Sequence, residues 1–449
     1  MAGFTLANLN NYMKSMDVTK LVLTDIPNVG LYEALRDRID RTNLIGDMAK
    51  VHIQLGIGIV GRPMTEASEL PYPAANNFDI ALIPLRRVVD NAGVTKQALD
   101  RATGGDASWG SVVELAIDNM RRSFSYLLKL CAFGNGTGAL GRISASSESS
   151  GTYTLTLDNT YDDFGIENCA LIKTGMRVEI YRGDNMISSA NCPVVDSTFG
   201  NRRNGVATTG TIKITDVTGK TFKDNDVVYL AGAYGNMPMG LTGIVQNGTN
   251  YSGVANVTTF QGLARANYPA MCGRVYKAQD FGLLGSGETN GVPTDWDLSV
   301  LSDAFQDVAD GDGQGQVNLG LVSAKTAMCI QRKNRAENFF GVMASSVDGL
   351  QQSAVGQRYA TTFVAPDGRL VPIVVDSTIP DNVFYGITTD DLTFFGLGDF
   401  DFLREYGDIW EPSRGNRLEA FEAPFGGYIN VGATRCDNCF MIQDLRTDV

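Results

Sequence analysis

The chain has 449 residues, 43% of them hydrophobic, and a formal net charge of −13. That apolar share supports packed cores and excludes a disordered chain, and the length allows roughly two to four domains. An excess of 50 acidic over 37 basic residues excludes a surface built mainly to clamp phosphates, which lysine and arginine would have to supply.

Residues 1 to 30 are mixed and weakly periodic, and read as an extended arm. No charged n-region precedes an apolar run there, so no secretory signal is expected, and no apolar stretch is long enough to span a bilayer. Seven irregularly spaced cysteines point to a reducing cytosol. In residues 31 to 45, LYEALRDRIDRTNLI, Leu31, Leu35 and Ile39 recur every four residues and predict a short amphipathic helix. Next, Val51, Ile53, Leu55, Ile57 and Ile59 alternate as in a strand, which puts the sole histidine, His52, on the opposite, exposed face. FDIALI predicts a second strand, with Phe78, Ile80 and Leu82 as its apolar set. The connecting RPMTEASELPYPAAN holds three prolines, so the pair reads as a long hairpin with an irregular tip. So few apolar residues at the tip cannot form a compact unit, and the hairpin should lie against something else.

Residues 109 to 133 carry the strongest helical pattern, through Val113, Ile117, Met120, Phe124, Leu127 and Cys131, with Ser108 as the expected N-cap. Such a helix spans about 35–40 Å, and the glycines of GNGTGALG stop it. From about 144 to 236 the composition shifts. TYTLTL, RVEIY, GTIKIT and DVVYLAG are short β-prone runs between Gly, Asn and Asp, and predict a small antiparallel barrel or sandwich. TDWDLSVLSDAFQDVAD (294 to 310) reads as a helix capped by Thr294. LGLVSAKTAMCIQR reads as a buried strand and then a helix, and RLVPIVVD, NVFYGIT, DLTFFGL, FEAPFGGYINVGAT and FMIQDL supply further strands. The expected class is α+β, interrupted by an all-β insert.

Three near-motifs fail on chemistry. GLLGSGET matches a phosphate-binding loop at Gly282, Gly287 and Thr289, but Glu288 stands where a lysine must meet the phosphates, and Asn290, Gly291 and Pro293 prevent a following helix. GIGIVG (56 to 61) follows a strand, but Arg62 and Pro63 replace the helix a dinucleotide site needs. DGDGQGQ, from Asp310, opens like a calcium loop, yet its fifth position is Gln314 and its twelfth is Leu321 instead of a bidentate glutamate. Cys436 and Cys439 form one CxxC with no second pair and no nearby histidine, which is two ligands short of a zinc site. No catalytic, cofactor or metal residue is expected, and the chain is read as a non-enzyme.

The order of parts (arm, long hairpin, long helix, NGTG turn, mixed domain ending in a strand) resembles the major capsid protein of tailed bacteriophages, the Hong Kong phage capsid fold. FGNGTGALG is similar to the turn ending that family's spine helix. TFQGLARANYPAM, with Phe260 in the aromatic place, is similar to its Gln-Gly, Arg, Tyr-Pro segment. PDGRLVPIVVDSTIPDNVFYGIT resembles its strand pair. The resemblance covers nearly the whole chain except 144 to 236. It implies an N-terminal arm over 1–50, an extended hairpin over 51–92 and a peripheral domain with the spine helix over 93–143. It further implies an outer insertion domain over 144–236, a mainly axial domain over 237–400, and C-terminal strands returning to the peripheral domain over 401–449. The implied function is that of a subunit forming pentamers and hexamers of an icosahedral head around double-stranded DNA, without sequence-specific binding, membrane or cofactor. Portal, scaffolding and decoration proteins are the implied partners. The implied location is the virion capsid, assembled in the host bacterial cytoplasm. The recognisable order starts almost at Met1, so a separate scaffolding protein is expected. The fold's founding member joins a hairpin lysine to a neighbour's asparagine. Residues 61 to 77 contain no lysine here, and no such crosslink is expected. A nanocompartment shell of the same fold is the alternative, told apart by protein cargo instead of DNA. A tail or spike protein would lack the 109 to 133 helix.

Overall fold

The computed structural model describes residues 31, 39–40, 44–45, 48–54, 78–97, 106–157, 171–198, 210–246, 258–282, 295–311, 315–337, 361–376, 378–379, 382–397, 400–403, 409–412, 420–443 and 445. The predicted arm over 1–30 and the hairpin tip lie outside these residues. The helix expected over 31 to 45 is corrected in its second half. Leu31 is helical and buried, but Ile39–Asp40 is a strand pairing in parallel with Phe394 and Phe395, and Leu44–Ile45 pairs with Met48 and Ala49. A short isolated helix is marginal, and open sheet edges offer these residues a full set of hydrogen bonds instead.

Strands β1 (Met48–Gln54) and β2 (Phe78–Pro84) form the hairpin, with Met48 opposite Pro84 and Gln54 opposite Phe78. In β1 the predicted faces hold: Ile53 is buried and His52 exposed. In β2 they are reversed, with Ala81 and Ile83 buried while Ile80 and Leu82 are each 41% exposed. The register explains this. Cross-strand partners share a face, and Ala81 and Ile83 stand opposite Val51 and Ala49, whereas Ile80 stands opposite His52. Once β1 turns its apolar side inward, Ile80 and Leu82 must face out.

β3 (Arg86–Thr95) leads to the long helix α1 (Asp106–Phe133). At 28 residues it spans about 42 Å. It starts before Ser108, which therefore lies in its first turn and is not its N-cap. Val113, Ile117, Met120 and Phe124 are buried as the spacing predicts, but Leu128 replaces Leu127 as the fully buried residue, because a 3.6-residue repeat drifts across so long a helix.

Six strands of four residues or more follow, β4 (Ala139–Ser149), β5 (Thr152–Leu157), β6 (Arg177–Arg182), β7 (Cys192–Thr198), β8 (Thr211–Thr215) and β9 (Val227–Leu230), with the two-residue strand Asn185–Met186 paired to β6. Their antiparallel pairing runs β4-β5-β8-β7-β6-β9 and returns to β4, so the sheet closes into a barrel with no free edge among these strands. Leu155, Ile180, Ile212 and Val228 are fully buried inside. Asp226, also buried, receives the Arg182 guanidinium as a fork at 2.7 and 2.7 Å. The chain enters and leaves the barrel side by side: Leu230 N donates to Gly138 O at 3.2 Å and Gly235 N to Thr137 O at 3.1 Å. Gly138 has φ +82, and a Cβ there would lie 2.7 Å from the Ala233 Cβ.

The remaining elements are α2 (Leu241–Ile244), β10 (Arg274–Tyr276), α3 (Ser299–Ala309), β11 (Leu319–Val322), α4 (Ala324–Glu337), β12 (Thr361–Val364), β13 (Leu370–Val375), β14 (Phe384–Ile387), β15 (Leu392–Gly396), β16 (Ala420–Ala433) and β17 (Phe440–Ile442). The helix α3 begins five residues after Thr294, which lies outside the described residues. The Asp297 carboxylate accepts the Ser299 N–H at 3.0 Å and sets the start there. A mixed sheet runs β10-β17-β14-β11-β13-β12, and a core around Phe305, Ile330, Phe363, Phe384 and Phe440 packs α3 and α4 on it. A second sheet is organised by the 14-residue β16, paired with β3 along Ala420 to Ile429 and with β15 along Ile429 to Ala433. Phe124 of α1 meets Phe425 of β16 and Phe400 edge-on at 5.0 and 5.1 Å, fixing the long helix on that sheet.

Candidate functional site

Most of the near-motifs fall outside the described residues: GIGIVG entirely, and GLLGSGET except Gly282. Leu321, the residue at the calcium-loop glutamate position, is buried within β11. Cys436 and Cys439 are free, fully buried thiols, and burial pushes Cys439 up to about 12, far from a reactive thiolate.

Functional geometry concentrates instead where the hairpin meets the rest of the chain. Thr259–Phe260 and Leu263–Ala264 form a tight antiparallel turn through Gln261 (φ +53) and Gly262 (φ +80). Two successive positive φ values are what a two-residue turn with matched twist requires. This turn holds the hairpin from one side. Gln261 O accepts the Leu82 N–H at 3.0 Å. The Gln261 side chain, oriented by its own hydrogen-bond network, donates to Ala433 O at 2.9 Å and accepts from Ala433 N at 2.6 Å. Tyr268 donates its phenol to Asp79 of β2 at 2.7 Å. That bond holds the Asp79 carboxyl below its ordinary range and raises Tyr268 above its own. From the other side, Asn430 of β16 donates to Pro84 O at 2.7 Å and accepts the Met239 N–H at 2.8 Å.

Behind the turn lies Arg265, 1% exposed. Its guanidinium donates to the carbonyls of Gly243 at 2.6 Å, of Ile244 at 3.3 Å and, at close range, of Gln246. The first two are C-terminal carbonyls of the four-residue α2, which has no further turn to satisfy them; the third lies just beyond it and also accepts the Gly273 N–H at 2.8 Å. Phe260 lies under the guanidinium at 4.7 Å, and burial lowers the Arg265 pKa from its ordinary value. The helix α2 is itself tied to the end of α1. Thr242 donates to Phe133 O at 2.7 Å and so accepts from the Tyr385 phenol at 2.8 Å. A Cβ on Gly240 would sit 2.3 Å from Cys131 O. The long helix, the hairpin base and both sheets are therefore locked at one junction.

Along the same stretch the hairpin turns outward a face on which Met48, Ile80 and Leu82 stand beside Lys50 and His52. Met48 is 40% exposed, and Ile80 and Leu82 are 41% exposed. The sequence reading singled out Phe260, Ile80 and Leu82 but placed the latter two inside. It missed Asp79, Arg265 as a carbonyl cap, and Asn430. A polar Asn inside the apolar run GGYINVGA was the available signal for the last.

No family model and no curated protein matches this sequence. Solved structures similar to it include the capsid asymmetric unit of cyanophage A-1(L), at 13% identity and TM-score 0.46, covering 93% of each chain. The satellite phage P4 procapsid that includes the size determination (Sid) protein is similar at 11% identity and TM-score 0.35, covering 99% of this chain and 98% of that one. The holo-SrpI encapsulin complex from Synechococcus elongatus is similar at 8% identity and TM-score 0.35, covering 91% and 85%. At these identities and scores no function is carried over from them.

Proposed function

We propose that this chain is the structural subunit of an icosahedral tailed-phage head, and not an enzyme. The observation that carries the reading is the hairpin itself. Its base is pinned by Gln261, Tyr268 and Asn430, while its outer face presents Met48, Ile80 and Leu82 to solvent. A strand pair held along one face, with Met48, Ile80 and Leu82 beside Lys50 and His52 on its free face, is suited to lie on a neighbouring copy. Obligate interfaces of that kind bury about 2,000–5,000 Å², and repeated heterologous contacts close into rings. The helix α1 with the β16 sheet would form the peripheral domain, the β10–β17 sheet with α3 and α4 the axial domain, and the barrel an insertion domain on the outer face. Pentamers and hexamers of the chain would enclose double-stranded DNA, and the net charge of −13 keeps the wall from adhering to it. Portal and scaffolding proteins are the further partners of this reading.

Electron micrographs of the purified protein, with nucleic-acid content measured after nuclease treatment, test it. Closed shells that protect DNA are expected when the protein is made during infection. A chain that never forms shells would end the reading. Shells containing only a protein cargo would replace it with a nanocompartment.

A further inference from the structure

The barrel's outer wall is unusual for a surface. Val178, Ile180 and Val228 point into the barrel core, so Glu179, Tyr181 and Tyr229 face outward. An exposed wall of an antiparallel sheet is ordinarily polar. Here half-buried Tyr181 and Tyr234 cover Tyr229 and Glu179, which are 3% and 7% exposed, in an aromatic cluster on it. Tyr181 and Tyr234 stack in parallel at 4.2 Å and 4°, and Tyr229 meets both edge-on at 5.3 and 5.0 Å. Met186, 45% exposed, stands directly opposite Tyr181 and extends the patch. Two carboxylates edge it. Asp184, exposed, accepts the Tyr234 phenol at 2.7 Å. Glu179 accepts Gly232 N–H at 3.2 Å and lies 3.5 Å from the Tyr181 phenol. The cation next in sequence, Arg182, is committed to Asp226. Phenols donating to carboxylates enrich their rings in electron density, which strengthens attraction for a cation over the ring face.

We infer that this wall binds an arginine-bearing basic segment of a partner protein, its guanidinium lying on the Tyr181–Tyr234 stack and pairing with Asp184. Charge complementarity selects the occupant. Stacked rings accept a flat cation on their outer face, the exposed Asp184 carboxylate favours positive charge, and guanidinium stacks where ammonium does not. The inference rests on the barrel alone and stands whether or not the chain builds a shell.

The test uses the full chain and three fluorescein-labelled peptides: an alternating Arg-Gly nonamer, its Lys-Gly twin and its Glu-Gly twin. Binding is read by fluorescence anisotropy. The arginine peptide is expected to bind more tightly than the lysine peptide, with no binding by the glutamate peptide. Tyr181→Ala, which leaves the charge unchanged, is expected to weaken arginine-peptide binding roughly fivefold or more. Asp184→Asn weakens it too and flattens its salt dependence, and touches no packing, so it decides the matter if Tyr181→Ala misfolds. Equal binding of the arginine and lysine peptides, unaltered in both variants, would reduce the effect to general attraction by an acidic chain and overturn the inference. Binding of a neutral oligosaccharide that depends on Tyr181, with no arginine preference, would also overturn it.

Discussion

Replacing Arg265 with methionine keeps an unbranched apolar stem and removes the guanidinium with its five donors. The carbonyls of Gly243 and Ile244 then lose their partner inside the protein, while Gln246 O keeps the Gly273 N–H at 2.8 Å. Each unsatisfied buried carbonyl costs about 1–3 kcal/mol, a gross loss of roughly 2–6 kcal/mol for the two. Against this, a guanidinium that is 1% exposed no longer has to be desolvated, which returns several kcal/mol. The net expectation is a loss on the order of 2 kcal/mol, since what remains is neutral buried acceptors and no unpaired charge. Arg265→Lys keeps a cation but loses the planar fork, and should fall between the two. Urea unfolding of the unassembled chain, followed by fluorescence of Trp410, reads this directly, since Trp410 is fully buried in the same core as Leu241 and Ile244. The expected order of stability is wild type, lysine, methionine. A methionine variant within about 1 kcal/mol of wild type would mean that water reaches these carbonyls, and that Arg265 is not the cap of α2.

Gly240→Ala should destabilise by on the order of 3 kcal/mol or prevent folding, because its new methyl would meet the backbone carbonyls of Cys131, Gly134 and Ala132 at 2.3, 2.6 and 2.7 Å, which cannot rotate away; a normal melting temperature would refute the packing argument. Tyr268→Phe releases Asp79 and should speed hydrogen exchange at the β2 amides while leaving β14 unaffected, measured by mass spectrometry. Asp391 is held above the ordinary carboxylate range chiefly by burial. Between about 3.9 and its raised value the folded chain therefore binds more protons than the unfolded one, and this group's contribution to stability falls as pH rises through that window. Asp391→Asn should flatten that slope in unfolding midpoints measured across it. Replacing residues 139 to 231 with a short Gly/Ser linker should leave a soluble chain, since Gly138 and Ala233 are already adjacent; insoluble protein would show that the barrel directs folding of its surroundings.

Local pattern made the long helix, the barrel strands and the closing strands legible in the sequence. Each carries its own periodicity, and α1 buries the side that its spacing marks. What stayed hidden depended on partners far along the chain. Ile39 and Asp40 look helical until Phe394 and Phe395 supply a strand to pair with. Ile80 and Leu82 look internal until the register with Lys50 and His52 turns them outward. Barrel closure rests on two residue pairs, Cys192 with Val178 and Pro193 with Arg177, which no repeat announces. The segment TFQGLAR was noticed through its resemblance, but nothing in its letters says that the arginine caps a helix twenty residues upstream.

The ladder between β3 and β16 also sets a timetable. Thr95 pairs with Ala420 and Arg86 with Ile429, so the nearest partners stand about 325 residues apart along the chain, and closing such a loop costs about 5 kcal/mol of chain entropy. At about 5–20 residues per second, a ribosome needs roughly 16–65 seconds to travel from one to the other. Throughout that interval β3 has been made but its partner strand has not. The helix α1 can form early on local contacts, whereas the sheet it rests on waits for almost the entire chain. Folding of this protein is therefore a late event in its synthesis, and the nascent chain must be kept from pairing with other copies until β16 emerges.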